Sequence, residues 1–249
     1  MDIVIATQNL DKFREITYIL KELVENPVGN PTASGGVKFS NLADIPMPSE
    51  TGNTLEENAI MKAEYGFKIT NKISIADDSG LEVAALNGLP GVYSARFAGI
   101  GATYKANRDK LLHLLVEADP SRWTWPDAPV PTQNVSGECV GRMYREQKSR
   151  LGRTGQSMEN RKAKFRCVVA VTGIQGEQSK LFDGKLNGYI TYEDKGELGF
   201  GYDPIFFVPE LGKTLAELPT ETKNQISHRA LAFLKVKEYL LKEMSKLKD

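Results

Sequence analysis

Cysteine and histidine are nearly absent from this sequence, with two of each in 249 residues. Cys139 and Cys167 cannot build a disulfide framework and lack the spacing of a zinc site, which excludes a disulfide-stapled scaffold and predicts a reducing compartment. Neither sign of charge dominates: 32 Lys and Arg face 32 Asp and Glu. The chain therefore has no global basic field of the kind that marks a nucleic-acid binder. No stretch approaches the roughly 20 apolar residues that cross a bilayer. The opening Met1-Asp2-Ile3-Val4-Ile5-Ala6-Thr7 has no basic segment before its short apolar run, so it reads as a β-strand and cytoplasmic residence is expected. What is present is ordinary for a globular protein, with 41% hydrophobic and 26% charged residues. That composition excludes whole-chain disorder, and the length suits one large α/β domain or two small ones.

After the strand Asp2–Ala6, Asn9 can cap a helix with Phe13, Ile16, Leu20 and Leu23 on one face. Residues 26–36, rich in Pro, Gly, Ser and Asn, read as a loop, and Val37–Leu42 as a short strand. Thr54-Leu55-Glu56-Glu57 is a capping-box pattern that predicts a helix with Ile60, Ala63 and Phe67 inward. Ile73–Ala76 reads as a short strand running into Asp77-Asp78-Ser79-Gly80. A turn at Gly88–Gly91, a helix over Ala102–Glu117 and two paired strands, Ala163–Gly173 and Lys180–Thr191, follow. Gly199–Pro209 is a glycine-flanked aromatic loop leading into a strand. Ser227 caps a last helix whose buried side is assigned to Leu231, Leu234 and Leu241. Alternating elements followed by clustered strands predict a mixed-sheet α/β fold in a single domain over 1–249. Residues 118–162 break the pattern. They hold Trp123, Trp125 and four of the twelve prolines. From Arg142 to Arg166 there are nine Lys and Arg against two Glu. This segment reads as an inserted excursion, part helix (Gly141–Leu151) and part loop.

Four groups of residues carry chemistry. Thr7-Gln8-Asn9-Leu10-Asp11-Lys12 lies where a strand turns into a helix, whose unpaired N–H groups suit a phosphate; a plain Asn9 cap with a solvated Lys12 is the competing reading. Asp77-Asp78-Ser79-Gly80 stands at the carboxyl end of a strand, where α/β sheets bind ligands. Adjacent strand residues point to opposite faces, so the two carboxylates share a cleft only if the strand ends there; an Asx turn is the alternative. A carboxylate pair with so few histidines fits magnesium better than zinc. Glu50 is a further acidic candidate, favoured over Glu57 because Glu57 already has a role in the capping box. In Gly199-Phe200-Gly201-Tyr202-Asp203-Pro204, glycines let the backbone approach a flat ligand while aromatic rings stack on it; a buried hairpin with core aromatics is the other reading. Lys223, His228 and Arg229 crowd a helix start, where the dipole already disfavours cations, so an anionic or electron-rich ligand is expected there.

Taken together, Ala6-Thr7-Gln8-Asn9…Lys12…Glu15, Glu50-Thr51-Gly52…Glu57-Asn58-Ala59…Lys62-Ala63, Ala76-Asp77-Asp78-Ser79-Gly80-Leu81, Gly88…Pro90-Gly91-Val92-Tyr93-Ser94-Ala95-Arg96, Phe200-Gly201-Tyr202-Asp203-Pro204 and Ser227-His228-Arg229 occur in an order that resembles the inosine/xanthosine triphosphate pyrophosphatase family, the Ham1-like noncanonical purine NTPases. The resemblance covers residues 1–117 and 163–240. It implies hydrolysis of ITP, dITP, XTP or dXTP to the monophosphate and pyrophosphate, as cleansing of the nucleotide pool. It also implies a long curved mixed sheet with two lobes flanking a cleft, and a homodimer. Asp78 matches the family's proton acceptor and metal-linked residue, with Glu50 or Asp77 completing a Mg²⁺ site that Mn²⁺ could also fill. Thr7, Gln8, Asn9, Leu10, Asp11, Lys12, Ser79, Lys223 and the loop Phe200, Gly201, Tyr202, Asp203 match substrate-binding positions, and Lys62 is grouped with them. His228 and Arg229 match the pair near the base. Ser49 stands where members often carry an additional acid. Residues 118–162 replace what is usually a much shorter connection, and they are read as a lid, a dimer contact, a nucleic-acid arm or a tolerated surface loop. Two rival functions remain open: a pyrophosphatase for modified pyrimidine triphosphates, and a nucleotide sensor that binds without catalysis.

Overall fold

The computed structural model describes residues 2–25, 37–118, 158–174 and 177–246. The expected Gly141–Leu151 helix and most of the 118–162 excursion, including both tryptophans, lie outside them. Asp2–Ile5 forms β1; the helices Leu10–Ile19 (α1) and Lys21–Glu25 (α2) follow, then β2 (Lys38–Asn41) and α3 (Leu55–Thr70). Next come β3 (Ile73–Val83), the two-residue β4 (Pro90–Gly91) and α4 (Tyr104–Glu117). The second half holds β5 (Lys162–Thr172), β6 (Lys180–Ile190), β7 (Phe206–Val208), β8 (Lys213–Thr214), α5 (Thr220–Ile226) and α6 (His228–Lys246).

One mixed sheet carries all eight strands, in the order β2-β1-β3-β5-β6-β7-β8, with β4 beside β3. β2, β1 and β3 run parallel; β3, β5, β6, β7 and β8 pair antiparallel. The strands β3, β5 and β6 are 11 residues each, about 36 Å at 3.3 Å per residue, long enough to serve two cores. Residue alternation sorts those cores by face. Ile75, Cys167, Val169 and Val171 pack on α1 and α6, with Ile16, Leu20, Phe233 and Val236. Ala76, Val168 and Ala170 pack on α3 through Leu55, Ala59 and Ala63. Farther along the same strands, Leu81, Val83 and Phe165 join Leu111, Ile190, Ile205 and Phe206 in a second lobe. Each fully buried Phe or Ile contributes about 1.5–3 kcal/mol, so each lobe has its own apolar anchor.

Several boundaries differ from the sequence reading. The first helix breaks at Leu20, whose N–H bonds back to Ile16, and restarts as α2. In α6 the buried stripe is Arg229, Ala232, Phe233, Val236, Tyr239 and Leu240, while Leu234 is exposed. The stripe's register follows from burying Arg229 in the first turn, a cost that apolar periodicity does not register. In α3 the inner face is Leu55, Asn58, Ala59, Lys62, Ala63 and Gly66, so Ile60 and Phe67 lie to its sides. The C-terminal end of the basic run belongs to the sheet. Lys164 pairs with Glu82, Arg166 with Glu56 and Asp183, and Arg161 donates to the carbonyls of Ile190 and Thr191.

Candidate active site

The site is a gap in the edge of β3. The β1–β3 ladder ends at Ile5 opposite Ile75, and β4 takes the same edge only from Leu81. Between them, residues 76–80 pair with β5 on one side alone. The sequence reading ended this strand at Ala76; β3 instead continues to Val83, because Leu81 and Val83 are core residues of the second lobe. Asp77 and Asp78 therefore point to opposite faces of the sheet. The open edge lets Lys12, in the first turn of α1, influence both.

On the α3 face, Asn58 Nδ2 donates to Asp78 Oδ2 at 2.9 Å, and Lys62 Nζ lies 3.3 Å from Asp78 Oδ1 and 2.7 Å from Glu50 Oε1. Thr54 caps this helix, accepting from Glu57 N, while the Glu57 carboxylate turns back to the Asn53 N–H. Asn58 Oδ1 accepts from Gly52 N at 2.8 Å, tying the loop that carries Glu50 to the helix. Arg96 reaches the same loop with two 3.2 Å bonds, to Glu50 Oε2 and the Glu50 carbonyl. Burial, aided by the Glu50 charge, raises the Asp78 carboxyl above its ordinary range against the pull of Lys62, Lys12 and Asn58. Glu50 is also opposed by burial, yet Lys62 and Lys12 hold it below its ordinary value.

On the other face, Asp77 Oδ2 meets Lys12 Nζ at 3.0 Å, accepts from Ser79 Oγ at 2.9 Å and lies 3.7 Å from Arg229 Nε. Burial works against its charge, but Lys12, Arg229 and Lys62 hold the carboxyl well below the usual range. Beneath it, burial pushes the Cys167 thiol up to about 12, so that group stays neutral. Ser227 Oγ accepts from Ala230 N at 3.1 Å and starts α6. Gly184 of β6 lets that helix seat closely, since a Cβ there would come within 2.2 Å of the His228 carbonyl. His228 is buried and stacks on Phe165, with centroids 4.5 Å apart and planes at 10°. Burial, Arg229 and Lys223 keep its imidazole neutral well below the ordinary pKa. Arg229 pairs with Glu15, and Lys223 lies 2.6 Å from both Glu15 and Asp203. Lys223 Nζ and the Arg229 guanidinium sit 4.8 and 5.7 Å from the Phe200 ring centroid.

The aromatic loop divides its residues. Gly199 has φ +75°, and a Cβ there would strike Asp203 Oδ2 at 2.2 Å. Asp203 is buried and turned inward, accepting from Phe200 N at 2.9 Å as well as from Lys223. Tyr202 is also buried, with its hydroxyl on the Ser94 carbonyl at 2.9 Å. Both were read from sequence as ligand contacts; the structure gives each an internal partner, and Phe200 alone presents its ring to the cations. In the first motif, Asn9 Oδ1 caps the N–H groups of Asp11 and Lys12, and Thr7 Oγ1 accepts from Asn9 N. Gln8 binds the Ile45 carbonyl, Leu10 is exposed and Asp11 faces Arg14. Only Lys12 from that motif sends its side chain to the carboxylates.

Glu50 and Asp78 each aim an oxygen at one cation, the Lys62 ammonium. Among the described residues no group of three or more His, Cys, Asp or Glu side chains gathers as a cage. A hard divalent ion held by two carboxylates and phosphate oxygens needs none. Asp77 lies on the opposite face, closed in by Lys12, Ser79 and Arg229. No helix among those residues is long and apolar enough to cross a membrane.

A family model described as the Ham1 family matches residues 3–153 and 137–239. The chain belongs to that family. A dITP/XTP pyrophosphatase of Thermoanaerobacter sp. (strain X514) is 41% identical over 247 residues, covering 98% of each chain. One from Bacillus subtilis (strain 168) is 40% identical over 240 residues, covering 95% of this chain and 96% of its own. Among solved structures, a HAM1 protein from Coxiella burnetii superposes with TM-score 0.71 at 33% identity, covering 97% of this chain and 99% of its own. The Staphylococcus aureus Ham1 protein gives 0.67 at 36% identity, covering 98% and 100%.

Three residues of this Ham1 site, Asn58, Arg96 and Glu15, stand within the motifs that carry the resemblance but receive no role from the sequence. Asn58 carried a signal: it precedes Lys62 by one helical turn, so whatever face Lys62 uses, Asn58 shares. Arg96 sits in a short turn without periodicity, and Glu15 on a half-polar helix, so neither announced a partner.

Proposed function

We propose that this chain hydrolyses noncanonical purine nucleoside triphosphates, dITP and XTP among them, to the monophosphate and pyrophosphate, with Asp78 as general base. The observation that carries this reading is the unpaired stretch of the β3 edge, where the buried Asp78 carboxyl lies 3.3 Å from Lys62 and within the field of Lys12. The names of the relatives, dITP/XTP pyrophosphatases, supply the substrate class. A triphosphate brings about four negative charges near neutral pH, and like charge repels an incoming hydroxide unless cations offset it. Lys12 offers one such cation at the open edge. Asp78 takes the proton of the water attacking the α-phosphorus, and Asn58 fixes the carboxylate for that transfer. Proton transfer of this kind contributes about 10²–10⁴ in rate, and fixed charge and positioning account for the remainder.

Glu50 and Asp78 are the residues that would hold Mg²⁺, and the ion would neutralise phosphate charge and acidify a bound water. Phe200 offers the purine a stacking face beside Lys223 and Arg229, and Arg229 and the neutral His228 are the donors assigned to the base. A donor aimed at the 6-keto oxygen of hypoxanthine or xanthine meets an amino group in adenine, and such buried mismatches discriminate by about 10⁴–10⁵. A cytoplasmic setting and a homodimer belong to the same proposal; the first is supported by the scarcity of cysteine, and sedimentation tests the second. The functional test is pyrophosphate release from XTP, dITP, ATP, GTP and dUTP, each with Mg²⁺ and with EDTA. Fast, EDTA-sensitive release from XTP and dITP with slow release from the others is expected. Equal rates on ATP, or no release from XTP and dITP, would reject the reading.

A further inference from the structure

Helix α4 meets the aromatic loop with two side chains one turn apart, Tyr104 and Arg108, which share a face by their i,i+4 spacing. The Tyr104 ring lies 5.9 Å from that of Phe200, tilted by 37°. Arg108 divides its donors. Nη1 bonds the Gly201 carbonyl at 2.8 Å, while Nε at 3.0 and 3.1 Å and Nη2 at 2.7 Å grip the Asp194 carboxylate. The loop needs such a hold, because Gly199 and Gly201 both sit at positive φ, +75° and +63°, outside any ladder. One residue before Arg108, Asn107 accepts from Ala98 N at 2.7 Å and donates to the Ala95 carbonyl at 3.1 Å, bracketing the turn that carries Arg96. One helix thus touches both the turn that supports Glu50 and the loop that carries Phe200.

We propose that Arg108, together with Tyr104, is a positioning residue for nucleobase binding, fixing the Phe200 ring so that these two side chains set KM while leaving kcat nearly alone. The inference rests on the proposed function, in which Phe200 meets the purine. It goes further in assigning a role in base binding to residues outside the set of Lys62, Lys12 and the carboxylates. A guanidinium spreads its donors in a rigid fork and can serve a carboxylate and a carbonyl at once, which an ammonium point charge cannot. Asp194 is 40% exposed at its side chain, so its pairing with Arg108 adds little to stability. Removing Asp194 therefore separates a role in binding from a role in folding.

The experiment measures initial rates on XTP and dITP, with Mg²⁺, for the wild-type chain and for Arg108→Leu, Arg108→Lys, Asp194→Asn, Tyr104→Ala and Tyr104→Phe, with the Tm of each. Arg108→Leu is expected to raise KM about tenfold, equivalent to about 1.4 kcal/mol, with kcat within about twofold. Arg108→Lys and Asp194→Asn should raise KM by less, in the same direction. Tyr104→Ala should raise KM as well, and Tyr104→Phe should restore it, since the ring makes the contact. Unchanged KM in both Arg108→Leu and Tyr104→Ala would overturn the proposal, whatever happens to Tm, and so would a fall in kcat at constant KM. Failure of the wild-type chain to release pyrophosphate from either substrate would overturn the functional reading itself, and this inference with it, an outcome read before any variant is made.

Discussion

The buried His228 makes the stability of this chain depend on pH. Its ordinary pKa is 6.5, and burial, then Arg229 and Lys223, carry the folded value well below that, against the opposing pull of Asp77. The unfolded chain therefore binds a proton below pH 6.5 that the folded chain does not. Stability conferred by the neutral ring is complete above pH 6.5 and declines as pH falls toward the folded pKa, with a slope approaching about 1.4 kcal/mol per pH unit. With the folded ring neutral throughout, the loss between pH 7.5 and 5.0 is about 2 kcal/mol, or about 4–8 °C in Tm for a chain of this length. The assay is thermal unfolding of the wild type and of His228→Gln across that range. Glutamine is uncharged at every pH, so the difference between the two curves isolates the histidine. His113, exposed on α4 beside Glu117, is common to both proteins. The wild-type Tm should fall by about 4–8 °C more than that of the variant; parallel curves would refute a neutral, buried His228.

Asp78→Asn should lower kcat by about 10²–10⁴ while nucleotide binding, measured by calorimetry, survives; near-normal turnover would exclude Asp78 as the base. Because the Asp78 carboxyl is raised above its ordinary value and must be ionised to act, activity should fall as pH drops through that raised value. Lys62→Met removes the cation between Glu50 and Asp78, so the acid limb of the kcat/KM profile should move to higher pH; a limb that stays in place would show that Lys62 does not tune the base. Asp77→Asn strips Lys12 and Arg229 of a buried counter-charge and should cost about 3–5 kcal/mol of stability, read from denaturant unfolding.

The sequence made the site's contents more legible than its construction. Asn9 and Thr54 announced helix starts because capping is a local hydrogen bond that a few residues decide. The strand β5 announced itself through the apolar, β-branched run 168–172, and β6 through its alternating apolar residues Phe182, Leu186 and Ile190. What did not show was the continuation of β3 through two aspartates, a serine and a glycine, residues depleted in strands. Tertiary pairing with β5 along the whole length overrides that local preference. The same blindness displaced the inner faces of α3 and α6. Those faces include Lys62, His228 and Arg229, and a pattern built on apolar periodicity takes charged residues as solvent-facing. The internal partners of Tyr202 and Asp203 went unseen for the converse reason: a polar loop residue looks available until such a partner is known.

The geometry of charge supplies the last step. In the substrate-free site the carboxylates of Glu15, Glu50, Asp77, Asp78 and Asp203 face the cations of Lys12, Lys62, Arg96, Lys223 and Arg229, equal in number and nearly all engaged with one another. Such a site has no net attraction to offer a triphosphate carrying about four negative charges. Glu50 and Asp78 would change that balance twice if they held a divalent cation: the ion would supply positive charge, and Lys62 would be released from the two carboxylates that detain it. Nucleotide affinity should therefore depend on metal more steeply than phosphate neutralisation alone requires, and Lys62→Met should lose that excess dependence. The site's own cations are already paired when the substrate arrives.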